Sequence, residues 1–219
     1  NNDGTVASQV SANKDSGFSI VTNTSPAGGY TWGHGLDKTP ELWTHKSTDY
    51  AYGWETLYPD TFGTNNTGLI PADWNYLRLD TTAAASSSGY SANNTVLSST
   101  GWGQVNNFVT YCWHSVAGYS KIGTYTWSAT SYTAGTMVTG LGFTPSFVMI
   151  KRINGAGTWN IYNNIRASGT QSYALYANYS NAENTSGYQG IILDSDGFSA
   201  GVGADGNTTS SGGLNQQGG

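Results

Sequence analysis

The chain has 219 residues and a formal net charge of −5, and Gly, Thr, Ser and Asn fill 103 of its positions. Only 10% of residues are charged, against roughly 25% in an ordinary soluble domain, so the long charged side chains that build surface helices are scarce. Eight Lys and Arg give no basic footprint for nucleic acid, no apolar run nears the ~20 residues of a membrane-spanning helix, and 13% aromatic content argues against disorder.

The first fifteen residues open Asn1-Asn2-Asp3-Gly4, without Met, a basic patch or an apolar stretch. They are expected to be a linker at the start of a processed product or of a piece of a longer chain. Beyond them, short runs alternate with period two between Gly, Pro, Asn and Ser punctuation, which predicts many short strands. Gly33-His34-Gly35 marks a turn, and His45 alternates along a strand beside Trp43. Phe108-Val109-Thr110-Tyr111-Cys112-Trp113 predicts a strand that buries Cys112, a single cysteine that excludes an internal disulfide. Phe147-Val148-Met149-Ile150 is continuously apolar and predicts a strand buried on both sides. Tyr173, Leu175, Ala177 and Tyr179 share one face of a later strand, and Ser195-Asp196-Gly197 before Phe198 signals a hairpin turn. No window carries a helical stripe.

These elements occur twice. Gly17-Phe18-Ser19 returns as Gly118-Tyr119-Ser120, and Gly35-Leu36 with Thr39-Pro40 returns as Gly140-Leu141 with Thr144-Pro145. Lys46 matches Lys151 and Trp54 matches Trp159, both 105 positions on; a shared core role is expected for the two indoles. Leu77–Ala84 resembles Leu175–Ala182, Ser88-Gly89-Tyr90 matches Ser186-Gly187-Tyr188, and Val96–Trp102 resembles Ile192–Phe198. The order is kept while the offset drifts through short gaps, as loop insertions would produce. The expected organisation is a linker at 1–15, one repeat at 16–116 and a second at 117–219. The second repeat ends in a polar, glycine-rich tail without a counterpart of the Phe108–Trp113 strand. The expectation is that the chain continues beyond Gly219 or that a neighbouring subunit supplies that strand.

Catalytic chemistry is thinly provided. Glu41, Glu55 and Glu183 are the only glutamates, and they are expected on solvated surface; a glycosidase would need two carboxyls flanking one bond. There is no nucleophile elbow, no zinc-protease motif and no phosphate loop. His34, His45 and His114 are too scattered for a zinc site, and no metal or cofactor is expected. Asp194 and Asp196, in Asp194-Ser195-Asp196-Gly197, form a weak calcium candidate against the simpler hairpin-turn reading. Trp74, flanked by Asp73 and Asn75, together with Trp32 and Trp127, offers sugar-stacking platforms, with loop packing as the alternative. Six Asn-x-Ser/Thr sequons lie at Asn23, Asn65, Asn93, Asn178, Asn184 and Asn207.

Asp3-Gly4-Thr5-Val6, Gly17–Thr22, Gly33–Leu36 with Thr39-Pro40, the Tyr111-Cys112-Trp113 strand, Phe143–Arg152 and Asp194–Phe198 resemble tandem modules of tailed-bacteriophage structural proteins. That resemblance implies concanavalin/laminin-G-like β-sandwich repeats of a tail, fibre or virion appendage. The expected fold is all-β: two tandem antiparallel, jelly-roll-like sandwiches from an internal duplication. The expected role is structural and adhesive, on an extracellular virion. It implies homo-oligomeric assembly with other virion proteins and binding to a host-surface glycan, without nucleic acid or membrane insertion. A glycan-degrading depolymerase on the same fold and a purely architectural filament or decoration protein are the alternatives.

Overall fold

The computed structural model describes residues 1–59, 74–125, 136–166, 172–183 and 190–200. Among them there is no helix; every pairing between named strands is antiparallel. Residues Asn1–Arg78 with Ala85–Gly123 form one compact unit, and Leu79–Ala84 with Thr124–Gly219 form the other.

In the first unit the strands are β1 (Ser8–Asn13), β2 (Phe18–Ser25), β3 (Tyr30–Gly33), β4 (Leu42–Ser47), β5 (Glu55–Pro59), β6 (Trp74–Arg78), β7 (Ser86–Ser87), β8 (Tyr90–Ala92), β9 (Val96–Ser99) and β10 (Asn106–Trp113). A seven-stranded sheet runs β1-β2-β10-β4-β5-β6-β7, and a three-stranded sheet runs β3-β9-β8. Period-two alternation explains why they face each other. β2 buries Ser19, Val21, Asn23 and Ser25, and β10 buries Asn106, Phe108, Thr110 and Cys112, with the intervening residues turned outward. The core joins Val21, Trp43, Leu57, Trp74 and Cys112 of the larger sheet to Tyr30, Trp32, Ala92 and Leu97 of the smaller. It is unusually aromatic. Trp43 packs at 5.7 Å from Trp32, 6.1 Å from Trp74 and 5.2 Å from Tyr90. The indole N–H groups of Trp32, Trp43, Trp74 and Trp102 find no hydrogen-bond acceptor among the described residues.

The first fifteen residues, expected as a linker, belong to this unit. β1 adds an edge strand to β2 over six register pairs, and the Asn1 ammonium donates to the Ser8 carbonyl at 2.7 Å. Only Ser8 of β1 is fully buried, so its sequence is polar although its backbone is paired.

The second unit holds β11 (Thr136–Val138), β12 (Phe147–Lys151), β13 (Trp159–Asn163), β14 (Leu175–Tyr176), β15 (Ile191–Asp194) and β16 (Gly197–Ala200). They form the sheets β12-β13-β14 and β11-β16-β15 around Val148, Ile150, Tyr162, Ala174, Ile191 and Phe198. The hairpin expected at Ser195-Asp196 joins β15 to β16. Gly197 is required there by close approach: a Cβ would lie 1.9 Å from the Val138 carbonyl oxygen. Two expectations change. Phe147 and Met149 are 59% and 38% exposed while Val148 and Ile150 are buried, so β12 is covered on one face only. The Tyr173–Tyr179 strand shrinks to Leu175–Tyr176, with Ala174 rather than its neighbours facing the core.

The two meanders share a register. His45 opposite Glu55 becomes Ile150 opposite Asn160, each 105 positions on. Thr56 opposite Leu77 becomes Ile161 opposite Leu175, by 105 and 98 positions, the offsets of the sequence repeat. Trp54 and Trp159 differ in surroundings: Trp159 is buried, whereas Trp54 is half-buried with its ring 6.2 Å from Tyr111.

Candidate functional site

Two of the three sugar-stacking candidates do not sit where a ligand would meet them. Trp32 and Trp74 are fully buried, both against Trp43, because β3 and β6 turn them into the core of the first unit. Trp127 lies outside the described residues.

An aromatic surface instead lies on the loop after β4 and the segment before β10. The Ser47 hydroxyl closes the turn by accepting from the amides of Asp49 and Tyr50, at 3.3 and 2.9 Å, and donates to Asn106 Oδ1 at 2.9 Å. Asp49 Oδ2 accepts from the Asn107 amide at 2.8 Å. The Lys46 ammonium donates to the carbonyls of Tyr52 and Tyr50, at 2.6 and 3.5 Å. These bonds hold two tyrosines outward, Tyr50 44% and Tyr52 36% exposed. Tyr52 stacks on Trp102 with centroids 4.9 Å apart and planes 29° apart, and Tyr50 lies 5.7 Å from Tyr52. Gln104 Nε2 donates to the Tyr52 hydroxyl at 2.8 Å. Trp102 rests in turn on buried Phe108 at 5.4 Å. The result is a rigid patch of three rings beside an amide, backed by the core. Rings that are already held lose little freedom on binding. Sequence reading misses it because Ser47 meets Asn106, and Asp49 meets Asn107, only through the β4–β10 pairing.

Below this patch lies a closed polar cluster. Glu55 is buried, not solvated, and accepts from the Tyr90 hydroxyl at 3.0 Å. Burial raises its pKa, against that bond and the positive charge of Arg78. His45, opposite Glu55 in the register, bonds Thr110 Oγ1 through Nδ1 at 2.8 Å, and burial lowers its pKa to about 3. Burial disfavours the charged form of both the acid and the base, and the cluster is closed from solvent, which suits packing better than proton transfer. His34 is also fully buried. Its Nδ1 accepts from the Leu36 amide and its Nε2–H donates to the Asn93 carbonyl, at 3.2 and 3.0 Å; burial brings its pKa down to about 4. Glu41 accepts from the Ser115 amide at 2.5 Å, and Glu183 pairs with Arg166. The three glutamates thus answer to three different partners.

The Asp194–Asp196 segment is a backbone clasp. Asp196 accepts from the amides of Gly140 and Gly142, at 3.0 and 2.6 Å, and Asp194 accepts from the Ser199 hydroxyl. Both carboxylates therefore meet donors, where a calcium ion would need their oxygens free. No three His, Cys, Asp or Glu side chains gather into a metal site among the described residues. The Gly142 and Gly140 amides hold the Asp196 pKa below its ordinary value. Its contribution is therefore present above the ordinary aspartate range and fades as pH falls through the depressed value. Asp196→Ala should speed hydrogen exchange at Gly140 and Gly142 and leave the amides of β10 unchanged. Unaltered exchange at both glycines would refute the clasp.

Of the sequons, Asn23 is buried, and Asn93 and Asn178 spend their side-chain oxygens on backbone amides. Asn65, Asn184 and Asn207 lie outside the described residues.

Comparison with known proteins identifies the family. Residues 1–215 match the family described as a domain of unknown function, DUF7483, and the chain belongs to it. No curated protein and no solved structure matches the chain.

Proposed function

We propose that this DUF7483 chain is a structural and adhesive module of a tailed-phage virion, a tail, fibre or appendage component displayed outside the cell. It consists of two β-sandwich domains related by duplication, assembles with further copies and other virion proteins, and holds a host-surface glycan. The duplication is supported by the register shared by β4-β5-β6 and β12-β13-β14 at the offsets of the sequence repeat.

The observation that carries the adhesive reading is the pre-held stack of Tyr50, Tyr52 and Trp102 with Gln104. Aromatic faces accept the C–H faces of pyranose rings while an amide meets their hydroxyls. Each contact is weak, and many copies on one particle would multiply it. A depolymerase would need two carboxyls flanking one bond; the separate engagement of Glu41, Glu55 and Glu183 favours binding over cleavage.

A bacterial polysaccharide array probed with a multivalent display of the chain tests this. Binding should fall about tenfold for Tyr52→Ala, the equivalent of about 1.4 kcal/mol. An array without hits, alongside tight self-assembly, would favour the architectural filament or decoration protein and refute adhesion.

A further inference from the structure

The outward face of the seven-stranded sheet carries a second aromatic surface. Cross-strand register sets Phe18 beside Trp113 and Ile20 beside Tyr111, and the edge strand β1 continues these rows with Asn13 and Ser11. Ring centroids follow one another at 5.3 Å from Phe18 to Trp113, 6.3 Å from Trp113 to Tyr111 and 6.2 Å from Tyr111 to Trp54. Successive planes differ by only 33°, 23° and 32°. These four rings are half-buried, and Ile20 among them is 37% exposed. The inner residues of the same strands fill the core, and none of these four rings belongs to it. β10 alone places Tyr111 and Trp113 outward and Thr110 and Cys112 inward.

Charge narrows what suits this floor. Across β1, β2, β10 and β4 the one charged outward side chain is Lys46, and its ammonium is already bound by two backbone carbonyls. An aromatic floor edged by a hydroxyl and an amide, with the one outward cation of these strands already turned to the Tyr50 and Tyr52 carbonyls, suits an uncharged polyhydroxylated chain better than an acidic one. We propose that this sheet face is a second glycan subsite, taking a stretch of neutral polysaccharide laid over Phe18, Trp113, Tyr111 and Trp54. The proposal rests on the adhesive reading and adds to it a second site and a charge class.

Native affinity electrophoresis through gels carrying either neutral or uronic-acid-bearing bacterial polysaccharides tests it. Wild-type chain should be retarded by neutral members of the panel, and Tyr111→Ala should weaken that retardation about tenfold, with Tyr111→Phe restoring it. Ile20→Lys, at an exposed position, lays a charged arm across the floor without opening the core. It should give the same loss at an unchanged melting temperature. Full retention by Tyr111→Ala and Ile20→Lys, with loss in Tyr52→Ala, would overturn the sheet-face site and leave the loop patch standing. Retardation by acidic members alone would overturn the charge class. No retardation by any member would overturn both readings together. A concentration-dependent dimer in sedimentation that Ile20→Lys abolishes would assign the face to a second copy of the chain instead.

Discussion

Trp43→Ala should destabilise the first unit by about 3–5 kcal/mol, the range for removing a large aromatic from a packed core. Trp43 is fully buried and touches rings on four sides: Trp32, Trp74, His45 and Tyr90. Those neighbours come from both sheets, so a cavity at this point cannot close by moving one strand. Trp43→Phe should cost far less. It keeps a ring in the site and removes a buried indole N–H that has no acceptor among the described residues, a group whose desolvation already costs about 1–3 kcal/mol. Urea unfolding of the two variants, compared at matched m-values, checks this. A loss under about 1 kcal/mol for Trp43→Ala would mean that the indole is not central to the core.

The second large effect is acid sensitivity between pH 6.5 and pH 4. Burial holds His45 down to about 3 and His34 down to about 4, from an ordinary 6.5. In that window the unfolded chain binds protons that the folded chain refuses. Stability is therefore fully present above pH 6.5 and falls as the pH drops, by about 1.4 kcal/mol per unit for each histidine. Glu55 works in the opposite direction. Its pKa is raised by burial, so its contribution is present below the ordinary glutamate value and is lost as pH rises through the raised one. It blunts the histidine slope without reversing it. Calorimetric melting at pH 7, 5.5 and 4.5 should show a steep decline. His45→Gln, which keeps a hydrogen-bonding group towards Thr110, should flatten that decline by about one histidine's share. A melting temperature indifferent to pH across this range would contradict the neutral burial of both imidazoles.

How much of this was legible beforehand depends on the distance over which each feature is determined. Local patterns carried far: the alternation around Cys112, the turn at Ser195-Asp196 and the absence of helix among the described residues all follow from neighbours in the chain. The 105-position offset between Trp54 and Trp159 also separates the His45–Glu55 pairing from the Ile150–Asn160 pairing. What failed were judgements about which side of a strand meets solvent. β1 looks like a linker because an edge strand needs few apolar residues. The Phe147–Ile150 run looks buried on both faces although half of it faces outward. Trp74 beside Asp73 and Asn75 looks exposed, but pairing with β5 turns its ring inward. Glu55 looks solvated until Tyr90, thirty-five positions away, closes over it. The candidate surface itself was hidden for the same reason. Tyr50 and Tyr52 are unremarkable as sequence and become a patch only when β10 brings Asn106 and Asn107 to the end of β4.

The crowding of indoles in the first unit makes that unit its own optical reporter. Trp32 and Trp74 both lie within 6.1 Å of Trp43, close enough for the transition dipoles of the three indoles to couple and to produce paired bands of opposite sign in circular dichroism. Six of the eight tryptophans belong to this unit, and Trp127 and Trp159 to the other. Loss of the coupled bands would therefore time the opening of the first unit without a label, while total emission would report on both.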